Sequence, residues 1–149
     1  MKRAPVSQAP MNVVELITMI GPAVTGVYFD IEGVPEAQER PRILWRHIPV
    51  PRFYDPSARR KRFLSKLVMT ALKEHGHDHF PLFPSDRNMK VSLTFMMPNI
   101  LQKDIDNMEK FIFDALEGIV YRNDRRIVKV QSEKVSSAVP KTIVGIELV

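Results

Sequence analysis

Residues 89–119 read MKVSLTFMMPNILQKDIDNMEKFIFDALEGI, and the fold turns on this stretch. Over residues 89–97 apolar and other side chains alternate: Val91, Leu93, Phe95 and Met97 fall on one side, Lys90, Ser92, Thr94 and Met96 on the other. A period of two belongs to a strand with one covered face. Pro98-Asn99 ends it, because proline cannot donate to a ladder. The period then changes. Ile105, Met108, Ile112, Ala115, Leu116 and Ile119 recur at helical spacing and Gly118 stands at the exit, which predicts a helix over 106–117.

Working outward, two β-rich segments follow. One begins at Ile127, Val128 and Val130 and runs to about Val135; the other spans 142–149, and residues 136–141 supply the turn of an expected terminal hairpin. Upstream, Asp55-Pro56 suits a helix start, since an Asp side chain caps free N–H groups and proline needs no donor there. Phe63, Leu64, Leu67, Val68, Ala71 and Leu72 form its apolar stripe to about Glu74, and Gly76 stops it. Val24, Val27, Phe29 and Ile31 make a strand that ends at Glu32-Gly33. Ile43-Leu44-Trp45 and His47-Ile48-Pro49-Val50 suggest a hairpin held to an edge by its prolines. Residues 1–11 read as a flexible leader and 13–24 as a short helix or arm, so 1–23 is an appended arm and 24–149 the domain. The order β-α-β-α-β-β implies an α/β fold: a small mixed β-sheet with two main helices on one face.

Lys and Arg outnumber Asp and Glu by 22 to 17, giving a net charge of +5, which favours a polyanionic partner. The absence of cysteine excludes disulfides, thiolate zinc sites and cysteine nucleophiles, and fits a cytoplasmic setting. No apolar run reaches the ~20 residues a membrane helix needs, so no membrane partner is expected.

The acidic residues carry the chemistry. In an extended segment residues i and i+2 project together, so Asp104 and Asp106 can converge while Ile105 points inward. Paired carboxylates repel, and Mg2+ relieves that repulsion while leaving positions for phosphate oxygens. Asp124, in the loop after the helix, is the candidate third ligand. The residues alone leave a second reading open, in which one Asp caps the helix and complements its dipole. Lys110 is either an i,i+4 salt-bridge partner or a cation beside the phosphate, and Asp114 either an ion-pair residue or a support behind the ligands together with Asn107.

Asp104-Ile105-Asp106-Asn107-Met108-Glu109-Lys110, followed by Phe113-Asp114-Ala115-Leu116 and Asn123-Asp124, resembles the signature of the RusA-like Holliday junction resolvases. Residues 29–33 with Pro35, Arg40-Pro41-Arg42 and Tyr54-Asp55-Pro56 are similar to that family's N-terminal pattern, so the likeness spans about 24–149. It implies a homodimeric crossover junction endodeoxyribonuclease that cuts four-way or branched DNA using Mg2+, with Mn2+ as a substitute. Asp104, Asp106 and Asp124 are then metal ligands and Lys110 assists. Where the family carries two acidic residues in the late loop, this chain has Asn123 before Asp124, which leaves one carboxylate there. Small resolvases of this kind are often encoded by phages and prophages, so the setting implied is a bacterial or phage-infected cell. The rival readings are a broader flap or branched-DNA nuclease and a junction-binding protein without chemistry.

Candidate DNA contacts are Arg40, Arg42, Arg59, Arg60, Lys61, Arg62, Lys66, Arg122, Arg125 and Arg126; a solvated basic face is the alternative for the helix. His75-Gly76-His77-Asp78-His79 lacks the spacing of a two-metal hydrolase motif and is expected to be a surface loop. Trp45 and Phe53-Tyr54 are read as covering core, with base stacking as the alternative.

Overall fold

The computed structural model describes residues 13–20, 24–44 and 52–149. Its centre is a five-stranded mixed sheet in the order β1-β2-β7-β5-β6, built from β1 (Val13–Ile20), β2 (Val24–Glu32), β5 (Met89–Met97), β6 (Ile127–Ser136) and β7 (Lys141–Leu148). A separate ribbon pairs β3 (Arg42–Leu44) with β4 (Arg52–Tyr54). Two helices, α1 (Ala58–Glu74) and α2 (Ile105–Leu116), complete the α/β fold.

The alternation in β5 is realised residue by residue. Val91, Leu93, Phe95 and Met97 are buried, and they join Leu64, Val68 and Leu72 of α1 and Met108, Phe111, Ile112, Ala115 and Leu116 of α2 in one core. Lys90 and Ser92 lie on the open face. Each fully buried aliphatic or aromatic side chain contributes about 1.5–3 kcal/mol, so this single layer of contacts between sheet and helices is the main source of stability.

Three expectations need correction. Residues 13–20 form a strand antiparallel to β2, not a helix: Val13, Val14, Ile17, Thr18 and Ile20 are β-branched, and that preference prevails over the apolar length that suggested a helix. Arg42–Leu44 pairs with Arg52–Tyr54, while Trp45 and 47–50, the arm expected for the small hairpin, lie outside the described residues. Helix α1 starts two residues late, because Asp55 accepts the Ser57 N–H at 2.8 Å and the Ala58 N–H reaches the Asp55 carbonyl, closing a turn ahead of the first helical residue. Finally, β6 and β7 are not a hairpin. β6 runs parallel to β5 on one side and β7 antiparallel to it on the other, so the connection crosses the end of β5, where the Ser137 N–H bonds the Met97 carbonyl at 3.0 Å.

Two turns follow their glycines. Gly76 and Gly118, at φ of 90° and 85°, occupy the left-handed region just past α1 and α2, where a side chain would be strained.

Candidate active site

Asp104 occupies the cap position of α2, with an extended backbone at φ −75° and ψ 137°, yet its side chain makes no capping hydrogen bond. The capping alternative is therefore not what holds it. Asn107 ties the two aspartates together instead. Its backbone N–H donates to Asp106 Oδ1 at 2.9 Å and its side-chain amide reaches Asp104 Oδ2 at 3.5 Å. Both carboxylates are exposed, and neither is in an ion pair among the described residues.

The segment that presents them is clamped from three sides. Lys103 Nζ donates to the Pro35 carbonyl at 2.6 Å, Lys134 Nζ to the Lys103 carbonyl at 3.0 Å, and the Gln38 N–H to the Asn107 carbonyl at 2.8 Å. Burial lowers the Lys103 pKa; the Glu36 carboxylate opposes this and the Arg60 cation adds to it. Residues 35–38 thus serve as a brace for the start of α2.

Further along α2, Lys110 is exposed and lies 3.4 Å from Asp114. The main partner of Asp114 comes from the other helix. Lys61 Nζ, only 11% exposed, bridges Asp114 at 2.8 Å and Asp55 at 2.9 Å. Partial burial pushes the Asp55 carboxyl up, but hydrogen bonds from Lys61, the Ser57 N–H and Gln38, with the Lys61 charge, hold it below its usual value. Ser65 Oγ donates to the Ala115 carbonyl and Tyr121 Oη to the Phe113 carbonyl, so the last turn of α2 is tied to α1 and to the loop that follows. Burial, then the nearby charges of Asp124, Glu117 and Asp114, raise the Tyr121 phenol.

The candidate cations of α1 and the preceding loop differ in how far they are paired within the chain. Lys61 is committed between the helices, and Arg60 pairs with Glu36 at 3.1 Å and Glu39 at 3.2 Å, so both charges already have carboxylate partners within the chain. Arg59, Arg62 and Arg40 are exposed, and Arg42, also exposed, reaches Glu39 at 3.6 Å. The basic run 59–62 alternates between outward and inward roles because successive helical residues lie about 100° apart.

Asp124 opens a single 3-10 turn, Asp124–Arg126, that leads into β6. Asn123 caps this turn by accepting the Arg125 N–H at 2.9 Å, which gives the residue standing in for the expected acid a structural task. Asp124 is exposed, but it lies at the opposite end of the sheet from Asp104. β6 is parallel to β5 with Ile127 beside Met89, whereas Asp104 follows the far end of β5 at Met97. The 12 residues of α2 between them span about 18 Å. Among the described residues no three His, Asp or Glu side chains gather closely enough to hold a metal ion. The donor chemistry of Asp104, Asp106 and Asp124 suits a hard cation such as Mg2+, but one chain does not assemble the three.

Next to Asp124, a depression of about 150 Å³ is lined by Ser85, Arg87, Tyr121, Arg122, Asn123, Arg125 and Arg126 among others. None of its four arginines forms an ion pair among the described residues. Arg87 escaped the sequence reading because it lies 35 residues before Arg122 and only the packing of its loop brings it there. The His75–His79 run is largely exposed and is not part of a metal cluster among the described residues. Phe53 is 71% exposed and Tyr54 46%, so they do not cover core as expected. No helix among the described residues is long and apolar enough to cross a membrane.

Paired exposed acids at a helix start and an arginine-lined depression thus stand on one small mixed α/β sheet. The family model of endodeoxyribonuclease RusA matches residues 32–147, and the chain belongs to that family. It is thereby placed among the junction-resolving endodeoxyribonucleases, which act on branched DNA. No curated protein matches the chain.

Proposed function

We propose that this protein resolves four-way DNA junctions by paired, symmetric, Mg2+-dependent hydrolysis of phosphodiester bonds, as a homodimer in a bacterial or phage-infected cell. The observation that carries this reading is the state of Asp104 and Asp106. Both are exposed, tethered by Asn107 and unclaimed by any described cation, and Asp104 leaves its own helix uncapped. Such carboxylates are a liability beside phosphates unless a divalent cation joins them.

A bound Mg2+, or Mn2+ in its place, supplies the positive charge that stabilises the developing oxyanion and activates water, so no side-chain nucleophile is needed. Asp104 and Asp106 hold the ion from one chain. Because Asp124 lies a helix length away, the third carboxylate is drawn from a second copy, which makes the dimer a requirement of the site. Lys110, on the exposed side of α2, exchanges its weak contact with Asp114 for a phosphate oxygen. Arg40, Arg42, Arg59, Arg62, Arg122 and Arg125 hold the DNA backbone.

The test is a labelled synthetic four-way junction compared with flap and linear duplexes, for wild type and Asp106→Asn, in Mg2+, Mn2+ and EDTA. Paired symmetric nicks confined to the junction, absent in EDTA and in the variant, are expected. Equal cutting of flaps would move the activity to a general branched-DNA nuclease, and tight binding without metal-dependent nicks would leave a junction-binding protein.

A further inference from the structure

Four arginines meet where β5 and β6 begin. The two strands are parallel with Met89 beside Ile127, so the loop entering β5, residues 84–88, and the turn entering β6, residues 122–126, stand side by side at one end of the sheet. The Leu82 and Phe83 N–H groups bond the Ile119 and Val120 carbonyls at 3.0 and 2.9 Å, which ties the approaches to these loops together. Between the loops lies the depression of about 150 Å³, with buried Met89 and Tyr121 beneath it and exposed Arg87, Arg122, Arg125 and Arg126 around it.

The lining contains no carboxylate. Asp86 and Asp124, the acids nearest in sequence, are not part of it, and neither pairs with any of the four arginines. Arg126 reaches the Asn88 side-chain oxygen and Arg87 the Val149 main-chain oxygen, each at 3.4 Å. Both contacts are long, and a guanidinium has several further N–H groups to donate. Asn123 spends its side-chain oxygen on the Arg125 N–H at 2.9 Å, so its own amide N–H groups remain as uncharged donors beside the arginines. Like charges gathered around so small a hollow repel one another, and an anion seated among them relieves the repulsion.

Size and charge together select the anion. The volume falls below the roughly 300–1,000 Å³ of pockets that take drug-sized molecules, which suits a single phosphate group rather than a nucleoside. A phosphate inside a strand carries one charge and is esterified on both sides, so it passes over the rim, where guanidiniums meet it one at a time. A terminal phosphate monoester carries a charge of about −1.5 to −2 near pH 7 and presents its free oxygens from the end of a chain, where guanidinium forks match them. We propose that this depression is a seat for the terminal phosphate monoester of a DNA end.

Hydrolysis of a diester breaks one P–O ester bond, places the water oxygen on phosphorus and returns a proton to the departing sugar oxygen. Each nick therefore makes one such monoester, and the seat holds the product end of a cut strand. That role rests on the function proposed above; the affinity for a terminal phosphate does not.

The experiment reads binding rather than cleavage. Fluorescence anisotropy in EDTA compares the full-length protein on short duplexes that differ only in a phosphate or a hydroxyl at one strand end, with 5′ and 3′ ends tested separately. One phosphorylated end should bind roughly tenfold more tightly than its hydroxyl counterpart, and inorganic phosphate should compete better than chloride at equal ionic strength. Arg122→Met combined with Arg126→Met should abolish the preference. Asn123→Asp keeps an oxygen for the Arg125 N–H but brings a carboxylate into the hollow, so it should abolish the preference while leaving the urea midpoint unchanged. Arg59→Met, on α1, should weaken both duplexes alike and keep the preference. Equal affinity for phosphate and hydroxyl ends, or a preference that survives in Asn123→Asp and the double arginine variant, overturns the proposal. So does a preference lost equally in Arg59→Met, which would assign it to overall charge. An end preference without junction nicking upholds the seat and rejects the nuclease reading, and junction nicking without an end preference does the reverse.

Discussion

Lys61 of α1 and Asp114 of α2 are 53 residues apart and meet in a 2.8 Å ion pair that joins the two helices over the sheet. The same ammonium holds Asp55, so one largely covered cation fixes the start of α1 against the last turns of α2. The position of α2 in turn fixes where Asp104 and Asp106 stand.

Removing this cation while keeping its aliphatic stem leaves two partly buried carboxylates facing each other. Lys61→Met should lower unfolding stability by about 1–3 kcal/mol, below the full cost of a broken buried pair because both acids keep some contact with water. Urea denaturation measures this directly. An unchanged midpoint would show that the bridge is ornamental. Arg59→Met, two positions earlier and exposed, should stay within about 0.5 kcal/mol.

Asp55 gives the pH dependence of the same bridge. Its carboxyl titrates below the ordinary value in the folded chain. A depressed folded pKa contributes stability that is fully present above the unfolded value of about 3.9, and is lost as pH falls through the folded value. The stability gap between wild type and Asp55→Asn should therefore be widest above about pH 5 and close as the solution is acidified. A gap that stays constant down to acid pH would assign the effect to packing alone.

How far the sequence could be read depended on the range of the interaction involved. The strand Met89–Met97 and helix Ile105–Leu116 were legible because burial of one face imposes a period that each residue reports. The β6–β7 connection was not, because a turn between two strands looks the same whether they pair with each other or straddle a third. Arg60 and Lys61 looked like part of a basic face because their acids, Glu36, Glu39, Asp55 and Asp114, come from other parts of the chain. Asp104, Asp106 and Asp124 looked like one site because twenty residues is short in sequence; most of those residues form a rigid helix that holds the ends apart.

The arginine depression beside Asp124 makes a separate claim on DNA. If Arg87, Arg122 and Arg125 each neutralise one phosphate, each alanine variant should lower the slope of log affinity against log salt by about 0.9. Arg60→Ala should leave the slope alone and lower stability instead, since its charge is spent on Glu36 and Glu39. Fluorescence anisotropy on a four-way junction at several salt concentrations reads both. An unchanged slope for Arg87→Ala would remove the depression from the path of the DNA.

The division of the carboxylates between copies predicts an outcome that a site within one chain cannot produce. Asp106→Asn and Asp124→Asn should each be inactive alone, since every site in either homodimer lacks one ligand. Mixing the two and allowing subunits to exchange gives heterodimers in which one site carries both defects and the other carries neither. Nicking should then return at one strand per junction, without the paired second cut, and rise to a maximum near equal proportions. Were Asp104, Asp106 and Asp124 to serve within one chain, both sites of the heterodimer would remain defective and the mixture would stay silent. The strand count distinguishes the cases even if exchange is slow: co-expressed, separately tagged chains purified as heterodimers must give single nicks or none.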